Sequence, residues 1–276
     1  MTLSDIVRAV RTETSPLLER TVRRRWMIRG GTGLDDLEDR SGALQTIDES
    51  VVLRRCSLYQ KAFPEAEITY PVAALRLPAV ATWVRRHGRT VDVRSGDELD
   101  RAISAGVHPV RVVMHRDDAT ASPIRRSVNI GVGRFVVNSP SQVALLVSCA
   151  ERSQRVVVDV TSDLARETID AVLAQNRVNL IGLHSQLGIS VINEPGLAEV
   201  VGRMIAQMAQ IRRYHNVLLT RLSVAGGTAS RADDRARLRR LNDAIEDAVD
   251  DSCARWRFPR PLLVLSPGLA ILLPAI

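Results

Sequence analysis

Five side chains able to act as acids, bases or metal ligands sit at the ends of apolar runs: Asp92, His115, Asp117, Asp118 and His184. A histidine among carboxylates can pass a proton in either direction or take up a metal ion. Each also has a plainer use. Asp92 and His184 can be hydrogen-bonding supports of the fold, and Asp117 and Asp118 can cap a helix opening near Thr120. A second group is glycine-rich. Ala225-Gly226-Gly227 and Ser266-Pro267-Gly268-Leu269 each follow an apolar run. Backbone N–H groups in such turns can cradle an anion, or the turn can simply join strand to helix. The tight turn is the preferred reading at 225–227. A GGTG stretch at 30–33 has no strand before it and no helix after it, and it too reads as a turn. Primary amines are nearly absent: 37 of the 38 basic side chains are arginine, and the single lysine is Lys61.

These residues need elements to position them. Short β-branched or aliphatic runs recur at Glu67–Tyr70, Val91–Val93, Arg111–Met114, Phe135–Asn138, Val156–Val160, Leu180–His184, Val217–Ser223 and Leu262–Ser266. Near-continuous apolar runs of this length suit parallel strands covered on both faces. Amphipathic stretches separate them. Leu197, Val200, Val201, Met204, Met208 and Ile211 repeat at helical spacing, as do Leu238, Leu241, Ile245, Val249 and Trp256. Eight β-α alternations predict a (β/α)8 TIM-type barrel over 41–276, preceded by an N-terminal extension at 1–40. In that architecture function gathers at the C-terminal ends of the strands, where Asp92, His115 and His184 fall.

Composition narrows the class. Aromatic residues are 3% of the chain, so the core must be aliphatic. The net charge of +7 raises nucleic-acid binding, through arginines near 23–25 and 235–240. However, the arginines are interspersed with 31 acids and few aromatics are available to stack on bases. Nucleic acid is therefore not an expected partner, and the wholesale use of arginine reads as a coding habit. Cys56, Cys149 and Cys253 lie far apart, with no ligand spacing for zinc, so no metal is expected. An odd cysteine count and no apolar leader point to a reducing, cytoplasmic setting. No run reaches the length of a membrane span, and no membrane partner is expected.

The motifs carry a resemblance. DVRSGDELDRAISAGVHPVRVVMH at 92–115, GVGRFVVNS at 131–139, GLHSQLG at 182–188, AGG at 225–227 and SPGLAI at 266–271 follow in order and at consistent spacing. Together they resemble the diaminopimelate decarboxylase family, the group IV ornithine, diaminopimelate and arginine decarboxylases with an alanine-racemase-like barrel. LDDLEDRSGALQTIDESVVLRRC at 34–56 looks like the family's entry into that barrel. The resemblance covers about 34–273 and implies the PLP-binding barrel fold.

It also implies a chemistry that this chain departs from. The family holds pyridoxal phosphate (PLP) as a Schiff base on a lysine that ends the first barrel strand, in a Tyr-Ala-x-Lys-Ala context. Here the segment reads Thr69-Tyr70-Pro71-Val72-Ala73-Ala74, so Ala73 takes the lysine's place. Arginine cannot form the Schiff base. Lys61 lies upstream, at the end of a predicted helix, and is expected on the surface. The family's ring-stacking histidine and phosphate-side serine correspond to Gln186 and Ile189. The glutamate and arginine of its Glu-Pro-Gly-Arg motif correspond to Ser266 and Leu269, and its His-Gly-Asn-Asn-Lys loop to His115-Arg116-Asp117-Asp118-Ala119. The segment from Val160 to Val178 has room for one helix only, and no counterpart of the family's β-rich second domain is expected after Ile276.

These departures predict a diaminopimelate decarboxylase-like barrel that is a non-catalytic pseudoenzyme of amino-acid metabolism. It would hold no cofactor, although the parent family holds PLP, and would act by binding or regulation, as antizyme inhibitor does beside ornithine decarboxylase. A protein partner or an oligomer is expected, with a small anionic ligand at the barrel mouth as a further possibility. Gly226, Gly227 and Gly268 are its vestigial cofactor-binding residues. The alternative is an enzyme of amino-acid metabolism with different chemistry, built on His115, His184, Asp92, Asp117 and Asp118 at the barrel mouth, or residual non-covalent binding of PLP or another phosphate ligand.

Overall fold

The structure is a computed structural model that describes residues 48–115, 121–187, 194–226 and 235–272. The chain divides into two units, Met1–Thr46 and Ile47–Ile276, and every element below belongs to the second. The expected extension at 1–40 lies outside the described residues.

Eight parallel strands follow one another around a closed barrel: β1 Glu67–Pro71, β2 Thr90–Val93, β3 Val112–His115, β4 Arg134–Val137, β5 Gln154–Asp159, β6 Val178–Gln186, β7 Arg221–Ala225 and β8 Leu262–Ser266. β8 pairs back onto β1, through Glu67 with Val264 and Ile68 with Leu265. The helices are α1 Glu49–Ala62, α2 Pro78–Arg86, α3 Gly96–Ser104, α4 Ala121–Ile130, α5 Pro140–Cys149, α6 Ala165–Leu173, α7 Glu194–His215 and α8 Arg235–Trp256. The expected (β/α)8 barrel is thus the observed one, with a variation at its seam. The eighth helix of the ring is α1, which precedes β1 and packs against both α2 and α8. A guanidinium N–H of the buried Arg55 on α1 donates to the Ile271 carbonyl at 3.1 Å, tying the start of the barrel to its end.

Strand pleating divides the side chains. Thr69, Asp92, Val113, Val136, Val157 and Val264 line the interior. Their sequence neighbours, such as Tyr70, Val91, Met114, Phe135 and Val156, are buried under the helices. Helix starts are set by local chemistry. The Ser95 hydroxyl accepts from the Glu98 N–H, and the Glu98 carboxylate accepts from the Arg94 N–H. Ser139 and Gln142 repeat the arrangement at α5, with Pro140 in the first turn. These reciprocal caps are the physical content of the SGDE and NSPSQ stretches.

Seven of the eight expected strands shift at one or both ends, by one or two residues except at the start of β7. Arg111 belongs to a short 3-10 turn, Pro109–Arg111, and β3 begins at Val112. The ladder of β7 begins at Arg221, four residues after the expected start, because the chain first leaves α7 through Asn216 with φ of 55°. Lys61 falls in the last turn of α1 and is exposed, as expected.

Gly133 is fixed by close approach. A Cβ there would lie 2.0 Å from the Val110 carbonyl oxygen, and the Gly133 N–H itself donates to Pro109 and Val112. The Gly133→Ala change therefore forces backbone apart at the entry to β4. It should cost about 2–3 kcal/mol in urea unfolding, at the upper end for overpacked sites. Gly96→Ala, whose Cβ would meet only Pro123 at 3.5 Å, should stay within about 1 kcal/mol.

Candidate functional site

The barrel interior is polar near its C-terminal end. Asp92, on β2, is the hub. Its Oδ2 accepts from the Thr69 hydroxyl at 2.7 Å, and its Oδ1 lies 3.1 Å from His115 Nε2. The Thr69 and Ser266 hydroxyls are also hydrogen-bonded to each other, linking β1 to β8. Across the barrel, the ring of His115 on β3 stands edge-on to that of His184 on β6, with centroids 5.1 Å apart. His184 Nδ1 lies 3.0 Å from the Ser223 hydroxyl on β7. Six strands thus contribute to one chain of contacts, from Ser266 through Thr69, Asp92 and His115 to His184 and Ser223. The cavity they enclose is about 10 Å³, the scale of a single water site.

Burial and charge set the protonation states. Burial alone would push the Asp92 carboxyl up. The charge of His115, with hydrogen bonds from His115, Thr69 and Ser266, outweighs burial and holds it at about 2. The Asp92 side chain is 16% exposed and that of His115 10%. His184 behaves oppositely. Burial pushes its imidazole down and the charge of His115 pushes it further, to about 4, against the pull of Asp159 and Asp92. At neutral pH the site therefore holds an ionised carboxylate bonded to one histidine, beside a second histidine that is neutral. Such an arrangement can position a proton, and it can equally be a satisfied polar plug.

Asp92, His115 and His184 converge as the sequence suggested. Asp117, Asp118 and Gly227 lie outside the described residues, as does Ile189. Gly226 ends β7 with φ of 114°, and a Cβ there would lie 2.0 Å from the Leu187 carbonyl oxygen. Its N–H donates to the Ser266 carbonyl at 3.1 Å, so the described part of this turn spends its donor on β8. Gly268, with φ of 59° and open space around it, starts a 3-10 turn after β8. Thr69, Ser223 and Ser266 were not singled out as site residues from the sequence. The available signal was parity: each is a hydroxyl at an inward position of an otherwise apolar strand. Among the described residues no group of three or more His, Cys, Asp or Glu side chains could hold a metal ion.

Ala73 follows β1 in a 3-10 turn, Val72–Arg76, and is 6% exposed. Tyr70, fully buried, fixes the register: its ring meets Trp83 edge-on and its hydroxyl donates to the Cys56 carbonyl. Cys56 itself is inert, because burial pushes its thiol up to about 12.

The model of the pyridoxal-dependent decarboxylase family for its pyridoxal-binding domain matches residues 49–171. The diaminopimelate decarboxylase of Actinosynnema pretiosum subsp. auranticum is 28% identical, over 98% of this chain and 69% of that one. Over residues 49–171 the chain thus matches that family's model, and in sequence it is similar to diaminopimelate decarboxylases. The diaminopimelate decarboxylase of Mycobacterium tuberculosis H37Rv is 25% identical, over 83% of this chain and 59% of that one. Among solved structures, diaminopimelate decarboxylase from M. jannaschii superposes with a TM-score of 0.71 at 18% identity, covering 82% of this chain and 60% of that one. The Helicobacter pylori decarboxylase complexed with L-lysine gives 0.68 at 16%, covering 82% and 63%. The chain thus spans 59–69% of the length of these relatives. The family match takes in β1 to β5 and includes Ala73. Among the described residues no helix is long and apolar enough to cross a membrane.

The two protonation states give a pH signature. The unfolded chain protonates His184 near 6.5 and the folded protein only near 4, so stability falls as pH drops through that interval. The unfolded chain protonates Asp92 near 3.8 and the folded protein near 2, so a second fall in the same direction follows. Urea unfolding should lose about 2–3 kcal/mol between pH 7.5 and 4.5. His184→Asn should remove most of this loss and leave the lower step in place.

Proposed function

We propose that this chain is a decarboxylase-family barrel that does not form a Schiff base with PLP and works by binding. The observation that carries the reading is the methyl group of Ala73 where the family lysine would end β1. Lys61 cannot stand in for it. It lies in the last turn of α1, at the end of the barrel where strands begin, whereas Ala73 follows the opposite end of β1. The strand between them is about 15 Å long. Gln186 and Leu269 occupy two further positions where the resemblance implies ring-stacking and charged groups, and Ser266 takes the position of the pyridinium-binding glutamate. The Ser266 hydroxyl is already engaged with Thr69 and Asp92. The residues present do not fit a covalently held pyridoxal group.

The binding role predicts a protein partner, either an intact decarboxylase relative or a second copy. Its test is a direct mixing experiment with an intact diaminopimelate decarboxylase from the same source, read by analytical ultracentrifugation. A complex supports the reading. A monodisperse protein that leaves the decarboxylase's sedimentation unchanged and does not self-associate overturns it.

The Asp92–His115 contact favours a second reading, in which these groups and His184 form an acid–base site for a small anionic substrate. A turnover that survives in the wild type and is lost in His184→Ala would select it.

The cofactor arm is spectroscopic. Equimolar pyridoxal phosphate should give no aldimine band, and borohydride followed by peptide mapping should find no saturable adduct. A stoichiometric adduct on the peptide carrying Lys61 would overturn the proposal.

A further inference from the structure

We infer that the end of the barrel where the strands begin is a docking face for an anionic lipid bilayer. The inference is independent of the Ala73 reading, because it concerns the end of the barrel away from the mouth.

In a closed parallel barrel every segment from a helix C-terminus to the next strand N-terminus lies at one end. Here those segments are 61–67, 85–90, 108–112, 130–134, 151–155, 174–178, 212–221 and 255–262. They hold fifteen of the 38 basic side chains and only three of the 31 acids, Glu65, Glu67 and Glu151. The remainder of the chain, with 23 basic and 28 acidic side chains, is net negative. Arg134 is paired with Glu67 inside the barrel and Arg260 with Glu246 and Asp250 of α8, and the other thirteen basic side chains still leave these segments net positive. Helix-dipole complementarity accounts for arginines at helix ends, such as Arg85, Arg213 and Arg255. It does not account for those at the strand entries, such as Arg111 and Arg155, which are exposed.

A second, separate observation identifies the partner's chemistry. Seven large hydrophobic side chains of the described residues are exposed, and six lie on this face: Val110, Ile130, Tyr214, Leu218, Trp256 and Leu262, each 37–48% exposed. Arg213 and Arg255 stack over the Tyr214 and Trp256 rings, each guanidinium carbon 5.8 Å from the ring centroid. A nucleic-acid backbone would satisfy the guanidiniums and offer nothing to the aliphatic groups. An anionic bilayer takes both, with guanidiniums at the phosphates and apolar tips below them. Trp and Tyr favour that boundary. The expectation of no membrane partner rested on the lack of a span, and surface docking needs none.

The experiment is co-sedimentation of the full chain with vesicles of phosphatidylglycerol and phosphatidylcholine, against vesicles of phosphatidylcholine alone. Binding should require the anionic lipid and be lost in salt on the order of 0.5 M. Arg213→Ala with Arg255→Ala should lower partitioning about thirty-fold. Arg166→Ala with Arg235→Ala removes the same charge at the opposite end and should change it less than about three-fold. Leu218→Ser with Leu262→Ser should also weaken binding. If the first pair fails to fold by circular dichroism, Arg152→Ala with Arg257→Ala replaces it. Absence of binding at low salt, indifference to the leucine changes, or retention of a duplex oligonucleotide without retention of vesicles would each overturn the inference.

Discussion

An ionised carboxylate enclosed by a barrel of parallel strands is tolerable only if every lone pair is answered, and Asp92 is such a group. Its partners come from three other strands: Thr69 on β1, His115 on β3 and Ser266 on β8. The Thr69–Ser266 bond spans the β1–β8 junction, where only two residue pairs register. The charge on Asp92 is thus satisfied at the seam that closes the barrel. The same group polarises the far side of the interior. With His115 committed to Asp92, His184 stays neutral and turns to Ser223. One buried charge thus sits at the head of a network of two histidines and three hydroxyls.

The construction of the barrel is separable from the residues at its mouth. The features that build the barrel are backbone-level: the aliphatic strands, the Ser95 and Ser139 caps, and Gly133, Gly182 and Gly226, where a Cβ would collide with backbone oxygen within 2.2 Å. Ala73, Gln186 and Leu269 sit after or at strand ends, beyond most of the ladder. Replacing them alters what the mouth can do and leaves the pairing intact. A methyl at Ala73 is even well suited to its buried 3-10 turn.

The sequence made the architecture legible because parallel strands covered on both faces read as continuous apolar runs, and eight of them alternated with helical periods. It made Asp92, His115 and His184 legible because their types carry chemistry and their positions end strands. It did not reveal Thr69, Ser223 or Ser266. A hydroxyl in a strand is common, and only closure of the barrel places Ser266 against Thr69, 197 positions apart. Nor did it distinguish a cradle from a turn at Gly226. That needed the observation that its N–H is donated to Ser266. The late start of β7 was hidden for a different reason: Val217–Leu219 is apolar enough to be strand, and the left-handed Asn216 spends these residues on the connection.

Charge distribution was also invisible to composition. A net charge of +7 spread evenly over a chain this size says little about partners. The barrel sorts it. Connections from helix to strand gather at one end and those from strand to helix at the other, so a sequence that alternates basic and acidic segments becomes a molecule with a basic floor and a more acidic remainder. Arginine serves this sorting better than lysine would, because its planar group can lie over Tyr214 and Trp256 while keeping its charge at the surface. The compositional habit that empties the mouth of amines is the one that fills the opposite face with guanidiniums.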